Sequence, residues 1–376
     1  MNELKEGFMR ALRLEEIGRL RLVELAEDPL GPTDVLVETI ATGICGSDIH
    51  GYTGENGRRF PGQVMGHETV GRIAAIGTEV DADRFRIGTL ITVNPVVVPY
   101  EEAPEYAGRE QHDPRRRVIG VDPTFVSAFA ERYAVPAANI VVLPEMENPL
   151  HGALIEPLAV AIHAVQRVDV SPGQLVLVVG GGPIGQSCVL AAQRAGASQV
   201  VVSEPHAGRR DICAALGAMV LDPLSESVPA ALRAMTGGVG ADVAIDAVGS
   251  SETISDALEA TAMGGRVCLV GMAQPDVSLD AYMISTDERM LVGSFTYPAK
   301  TFVEASRWVA EGSAFFDLLV SDIVEPEDAD AAFSRLAHTL EVPGKVLIRF
   351  APDGPLAPEG AGLASAATSR AEGKSR

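Results

Sequence analysis

Apolar and polar positions change rhythm along this chain. Up to about residue 155 they form short β-like runs cut by Gly and Pro, among them Asp34–Ala41 and Thr69–Ile76, bounded by turn formers as strands are. From about 156 to 295, short continuous apolar runs alternate with helix-length segments. Leu175–Val179, Gln199–Ser203, Asp242–Asp246 and Arg266–Val270 read as strands, and Ile184–Ala195, His206–Leu216 and Glu252–Ala262 as the helices between them. Strand, helix, strand at this spacing predicts an α/β fold, a doubly wound parallel sheet with right-handed crossovers. Beyond Phe295 come a helix-like run, Thr301–Glu311, and a strand-like run, Lys345–Phe350. Residues 94–120 are polar and Pro-containing and are expected to form a surface lobe or long loop. The tail from Ala351 buries too little apolar surface to offset its ordering entropy and is expected to be disordered.

Length and charge narrow the function classes. The chain has 376 residues, enough for two or three domains, and 51 acidic residues against 30 Lys and Arg, a formal net charge of −21. So acidic a chain is repelled by phosphate backbones and anionic lipid, which argues against nucleic-acid and membrane-surface partners. The weakly charged stretch Val170–Gln193 invites a test as a membrane span. Ser171-Pro172-Gly173 and Gly180-Gly181-Gly182-Pro183 would break it, so a buried strand, a turn and a helix are expected. The N-terminal MNELKEGFMRALRLEE lacks the apolar core of a signal peptide, and the four scattered Cys fit a reducing compartment; a cytoplasmic protein is expected.

Gly180-Gly-Gly182-Pro-Ile-Gly185 follows the first apolar strand of the second region and opens a helix. Glycines at this spacing permit a tight turn, close backbone approach to a pyrophosphate and close helix–strand packing, with the helix N-terminus facing the phosphates. Glu204 ends the next strand, where a carboxylate accepts hydrogen bonds from an adenosine ribose and repels a 2′-phosphate; NAD is expected over NADP. Arg209 and Arg210 are a counter-signal, since either is placed to hold a 2′-phosphate.

A second constellation is Gly43-Ile-Cys45-Gly-Ser47-Asp48-Ile-His50, then Gly66-His67-Glu68, then Glu156-Pro-Leu. Thiolate, imidazole and carboxylate are the ligand types of a catalytic zinc, which keeps one position open. Spacing alone is not diagnostic, because Cys45 and His67 lie far apart in the chain.

In this order the motifs resemble the zinc-containing medium-chain dehydrogenases, and among them the polyol branch of sorbitol, 2,3-butanediol and threonine dehydrogenases. The likeness runs from about residue 9 to 350. It implies a GroES-like β-rich catalytic domain, 1–155 completed by 296–350, around a Rossmann NAD-binding domain at 156–295, with a tail at 351–376. It further implies NAD-linked, reversible oxidation of a secondary alcohol (a polyol, diol or amino alcohol) to a ketone, by a homodimer or homotetramer. Two other readings remain open: a zinc-free NAD(P)H quinone-type reductase of the same fold, and a non-catalytic dinucleotide-binding protein.

By resemblance, Cys45, His67 and Glu68 match zinc-binding positions, and Glu156 stands where many relatives have a Cys ligand. Ser47 and His50 match a proton relay, and Asp48 a residue that orients the ligands. Ile184, Glu204 and Arg209 match NAD contacts. Val270, Gly271 and Met272, with Gly293, Ser294 and Phe295, match loops beside the nicotinamide ribose. The four-Cys structural zinc of many relatives is excluded, because residues 94–120 contain no Cys. One catalytic zinc per subunit is therefore expected. Sorbitol dehydrogenases carry Arg where this chain has Thr296, beside Tyr297, and Tyr where it has Gly51. A thiolate and two carboxylates around one Zn²⁺ sum to −1, so one of Glu68 and Glu156, expected to be Glu68, would bind directly and the other through water.

Overall fold

The computed structural model describes residues 7–55, 57–99, 104–339 and 342–351. The expectation for the tail lies, beyond Ala351, outside the described residues.

Six parallel strands run in the spatial order Met219–Leu221, Gln199–Ser203, Leu175–Val179, Ala241–Asp246, Thr261–Leu269, Met290–Gly293. In chain order this is 3-2-1-4-5-6, the doubly wound dinucleotide-binding arrangement, whose ligand crevice opens between the first and fourth strands. The central strand Leu175–Val179 is apolar throughout because both of its faces are covered. Val176 and Val178 pack into one cluster, whereas Leu177 and Val179 pack into another across the sheet. The sequence pattern missed the two edge strands, which are short and place Met219 and Met290 in solvent. It also missed the helix Val228–Met235.

The second sheet runs Val320–Val324, Lys345–Arg349, Asp34–Gly43, Glu68–Ile76, Leu90–Val93, Ile140–Val142, with Arg132–Pro136 also pairing on Asp34–Gly43. Leu347 pairs antiparallel with Gly43, so a strand from the end of the chain lies against one from its beginning. That pairing brings Lys345 next to the turn that carries Cys45.

The helix Ile155–Arg167 wedges between the sheets. One continuous apolar cluster takes Ile40, Val70 and Leu90 from the second sheet, Leu158, Ala161 and Val165 from this helix, and Val176 and Val178 from the parallel sheet. Each buried Leu or Val contributes about 1.5–3 kcal/mol, so the two sheets are fixed relative to one another through the helix. Within 94–120, Val96–Val97 pairs with Arg117–Val118, which draws two ends of this segment together. Its Glu110 is buried and accepts from the N–H groups of Gly108 (2.8 Å) and Ala299 (3.0 Å), an inward anchor that polarity alone did not suggest. Val170–Gln193 is a strand, a turn and a helix, and among the described residues no helix is long and apolar enough to cross a membrane. Cys188, Cys213 and Cys268 are buried in the apolar clusters.

Candidate active site

Cys45 is the N-cap of the helix Gly46–Thr53, held in extended backbone, with its N–H donating to the Asp48 carboxylate at 3.2 Å. His67 and Glu68 enter from the start of the strand Glu68–Ile76. The Cys45 sulfur, a His67 ring nitrogen and a Glu68 oxygen all lie within 4.8 Å of one another. Zinc bound at about 2.0–2.3 Å places its ligand atoms roughly 3.3–3.8 Å apart, so small side-chain movements close these three on one ion. His67 Nδ1 has no hydrogen-bond partner, and its nearest carboxylate oxygen, Asp48 Oδ1, stands 3.7 Å away. The donor set fits zinc.

Charge in this buried cluster is closely matched. Arg59 is buried and pairs with Asp48 at 3.3 Å. Its stem fills the space beside Gly51, where an added Cβ would lie 2.1 Å from Arg59 Cγ. A Tyr at 51 is therefore incompatible with this counter-ion. Lys345, also buried, donates to Glu68 Oε1 at 2.7 Å and to the Ile44 carbonyl at 3.2 Å. Burial opposes its charge, but Glu68 and Cys45 outweigh burial and hold its pKa above the ordinary range. Burial likewise opposes protonation of His67, and attraction to Asp48, Cys45 and Glu156 overcomes it, raising the pKa to about 10 in the absence of metal.

Glu156, near the start of the wedge helix, lies outside the 4.8 Å group. Its Oε1 accepts from the Tyr297 hydroxyl at 3.0 Å. Burial, with repulsion from Glu68, raises its pKa to about 7 against the attraction of His67. Thr296, just before Tyr297, has φ +48°, a strained left-handed conformation for a β-branched residue. Ser47 and His50 lie one turn apart on the Gly46–Thr53 helix, both half-buried, with His50 reaching toward solvent beside Glu55.

The cofactor elements assemble at the switch point of the parallel sheet. Gly180 has φ +94°, and a Cβ at Gly185 would stand 1.8 Å from the Gly180 carbonyl, so only glycine permits this strand–helix approach. Glu204 is buried, with its oxygens accepting from the N–H groups of Gly181 (2.7 Å) and His206 (2.8 Å). Arg210 is committed to the carbonyls of Glu204 and Pro205 and to Asp222. Arg209 instead leans over Gly182, with Nη1 4.0 Å from Glu204 Oε2 and Nε unpartnered. Ile184 lies half-buried in the first turn of the helix Pro183–Arg194. Val270, Gly271, Met272, Gly293, Ser294 and Phe295 converge on one cavity of about 560 Å³. The turn, the acid after the second strand and these loops fit a nicotinamide dinucleotide. Motif reading missed Arg59 and Lys345, for which no local pattern exists.

Residues 31–145 match the alcohol dehydrogenase GroES-like domain and residues 183–311 the zinc-binding dehydrogenase family. L-galactonate-5-dehydrogenase of Escherichia coli K12 is 33% identical over 311 residues, 83% of this chain and 88% of that protein. D-xylulose reductase A of Aspergillus niger is 31% identical over 314 residues, 81% and 87% of the two chains. A Sinorhizobium meliloti protein solved with NADP superimposes with a TM-score of 0.83 at 30% identity, covering 92% of this chain and 100% of that one. The 2R,3R-butanediol dehydrogenase of Bacillus subtilis gives 0.82 at 26%, covering 91% and 99%. With a Rossmann sheet joined to a GroES-like domain, and relatives that are named dehydrogenases and reductases, the chain is an oxidoreductase that belongs to the zinc-binding dehydrogenases.

Proposed function

We propose that the protein catalyses reversible, NAD-linked oxidation of a secondary alcohol of the polyol or diol type to a ketone, using one zinc per subunit. The convergence of Cys45, His67 and Glu68 beside Glu156, at the head of the helix shared by both sheets, carries this reading. When bound, zinc would supply Lewis acidity toward the hydroxyl oxygen, and the dinucleotide would supply the hydride acceptor.

The residues divide the remaining work. Cys45, His67 and Glu68 hold the metal, and Asp48, fixed by Arg59, holds the Cys45 turn and faces the His67 ring. Glu156, held by Tyr297, receives the hydrogen bond of the incoming hydroxyl or its water. Ser47 accepts the hydroxyl proton as it releases its own toward His50, which passes a proton to solvent, since burial excludes bulk water from the cluster. Lys345 alters the charge count: Zn²⁺, one thiolate, two carboxylates and one ammonium sum to zero, so both carboxylates can stay ionised at the metal.

Glu204 places the ribose and disfavours a 2′-phosphate, which supports NAD, with Ile184 and Arg209 completing the adenosine side. The functional units in this reading are 1–155 with 296–350, and 156–295. The protein acts as a cytoplasmic homodimer or homotetramer. The test is metal analysis with an activity screen. Wild type should carry about one zinc per chain and oxidise secondary alcohols with NAD. Cys45→Ser should lose zinc and turnover yet still bind NADH. Two tightly held zinc ions per chain would sink the single-site reading.

A further inference from the structure

The cavity beside Val270–Met272 and Gly293–Phe295 has a wall unlike the rest of this acidic chain. No Asp or Glu lines it, whereas Arg116, Arg167, His112 and His163 do. In a chain with 51 acids and 30 Lys and Arg, such a wall is a local reversal of charge. The two guanidinium groups are oriented by carbonyls, and the nearby Asp113 carboxylate, which feels the Arg116 charge, forms no ion pair with it. Arg167 Nε donates to the Gly293 carbonyl at 3.0 Å. Arg116 donates Nη1 to the Asp113 carbonyl at 3.1 Å and lies over the Phe295 ring, 5.5 Å from its centroid. The Asp113 carboxylate itself is engaged by Arg115. Among the described residues, no carboxylate forms an ion pair with Arg116 or Arg167. His163 senses the same field: burial, then repulsion from Arg167, His112 and Lys300, lowers its pKa to about 4.

Two segments link the cavity wall to the Cys45–Glu156 cluster. His163 follows Glu156 by two helical turns, about 10 Å along the axis. Phe295 lies two residues before Tyr297, whose hydroxyl binds Glu156. An extended six-carbon chain, met by the reach of an arginine, spans that interval. The phosphates of the dinucleotide have their own cradle at Gly180–Gly185, so they do not account for these cations.

We infer that the Arg116 and Arg167 wall of this cavity, as distinct from the loops that fit the nicotinamide end of the cofactor, binds the anionic end, a carboxylate or a phosphate monoester, of a polyol substrate, while the hydroxyl to be oxidised lies at the Cys45–Glu156 end. This inference rests on the secondary-alcohol reading above. Guanidinium groups at a partly enclosed site bind such anions through charge-assisted, bidentate hydrogen bonds.

The experiment compares kcat/KM across matched five- and six-carbon probes: aldonates, polyol phosphates and the corresponding neutral alditols. At least one anionic probe should exceed its neutral counterpart tenfold or more, and whether carboxylate or phosphate does so identifies the anion. Arg116→Met should lower the ratio of anionic to neutral kcat/KM about tenfold or more, with Arg116→Lys recovering part of it and KM for NAD holding within about twofold. Neutral alditols preferred throughout, or an unchanged ratio in Arg116→Met, would overturn the inference while leaving secondary-alcohol oxidation intact. A raised KM for NAD in the variant would assign Arg116 to the cofactor and likewise overturn it. If the zinc-loaded enzyme oxidises no secondary alcohol, the reading above fails instead. Calorimetric titration of the NADH complex with gluconate and with sorbitol then decides the inference, equal binding overturning it.

Discussion

The ammonium of Lys345 stands 2.7 Å from the carboxylate of Glu68, 277 residues earlier in the chain, and both side chains are buried. Removing one partner of such a pair leaves the other charge uncompensated, at a cost of about 3–5 kcal/mol. Lys345→Met should therefore lower unfolding free energy by that order and weaken zinc retention. Glu68→Gln combined with Lys345→Met, which removes both charges, should recover more than half of the stability loss. Denaturant titrations of the two variants check this, and a Lys345→Met protein as stable as wild type would show that the pair is dispensable.

Gly51 and Arg59 are expected to be coupled. A Cβ at position 51 meets the Arg59 stem and pushes the guanidinium off Asp48. Gly51→Ala should cost about 1–3 kcal/mol by overpacking. In an Arg59→Ala background the same substitution should cost markedly less, because the clash has gone. Additive effects of the two changes would count against the steric coupling.

Cofactor preference is expected to depend on Glu204. Glu204→Ala removes a ribose acceptor and a like charge, so KM for NAD should rise about tenfold and discrimination against NADP should relax. Arg209→Ala should weaken both cofactors. A wild-type enzyme that prefers NADP would reverse the assignment and make Arg209 the dominant group.

The metal-depleted protein should lose stability as pH rises. Glu156 has a folded pKa of about 7 against an ordinary 4.5, so its contribution is complete below 4.5 and lost as pH rises through about 7. His67, raised from 6.5 to about 10, contributes fully below 6.5 and loses that contribution as pH rises through about 10. Urea midpoints of chelator-treated protein should fall across both intervals. Glu156→Gln should abolish the lower interval and move the upper one toward lower pH, because the Glu156 charge helps to raise His67. Stability that instead climbs between about pH 5 and about pH 7 contradicts the raised Glu156.

The sequence by itself determined what is local or periodic. The central strand Leu175–Val179 of the parallel sheet is covered on both faces and so reads as a continuous apolar run. The glycine turn lies within one strand–helix unit, so Gly180, Gly182, Gly185 and the acid Glu204 after the next strand were legible from spacing. The candidate metal group was legible only through resemblance, since Cys45 and the His67-Glu68 pair come from separate elements whose spacing carries no geometric rule. Tertiary structure alone decided the balance of charge. Arg59 reaches Asp48 across the glycine at 51, Tyr297 reaches Glu156 from 141 residues away, and Lys345 meets Glu68 because strands from opposite ends of the chain pair. The count of −1 around the metal, made without Lys345, becomes neutral once that ammonium is present. A buried charge is stabilised by whichever opposite charge the fold brings within a few ångströms, and separation along the chain does not encode that proximity.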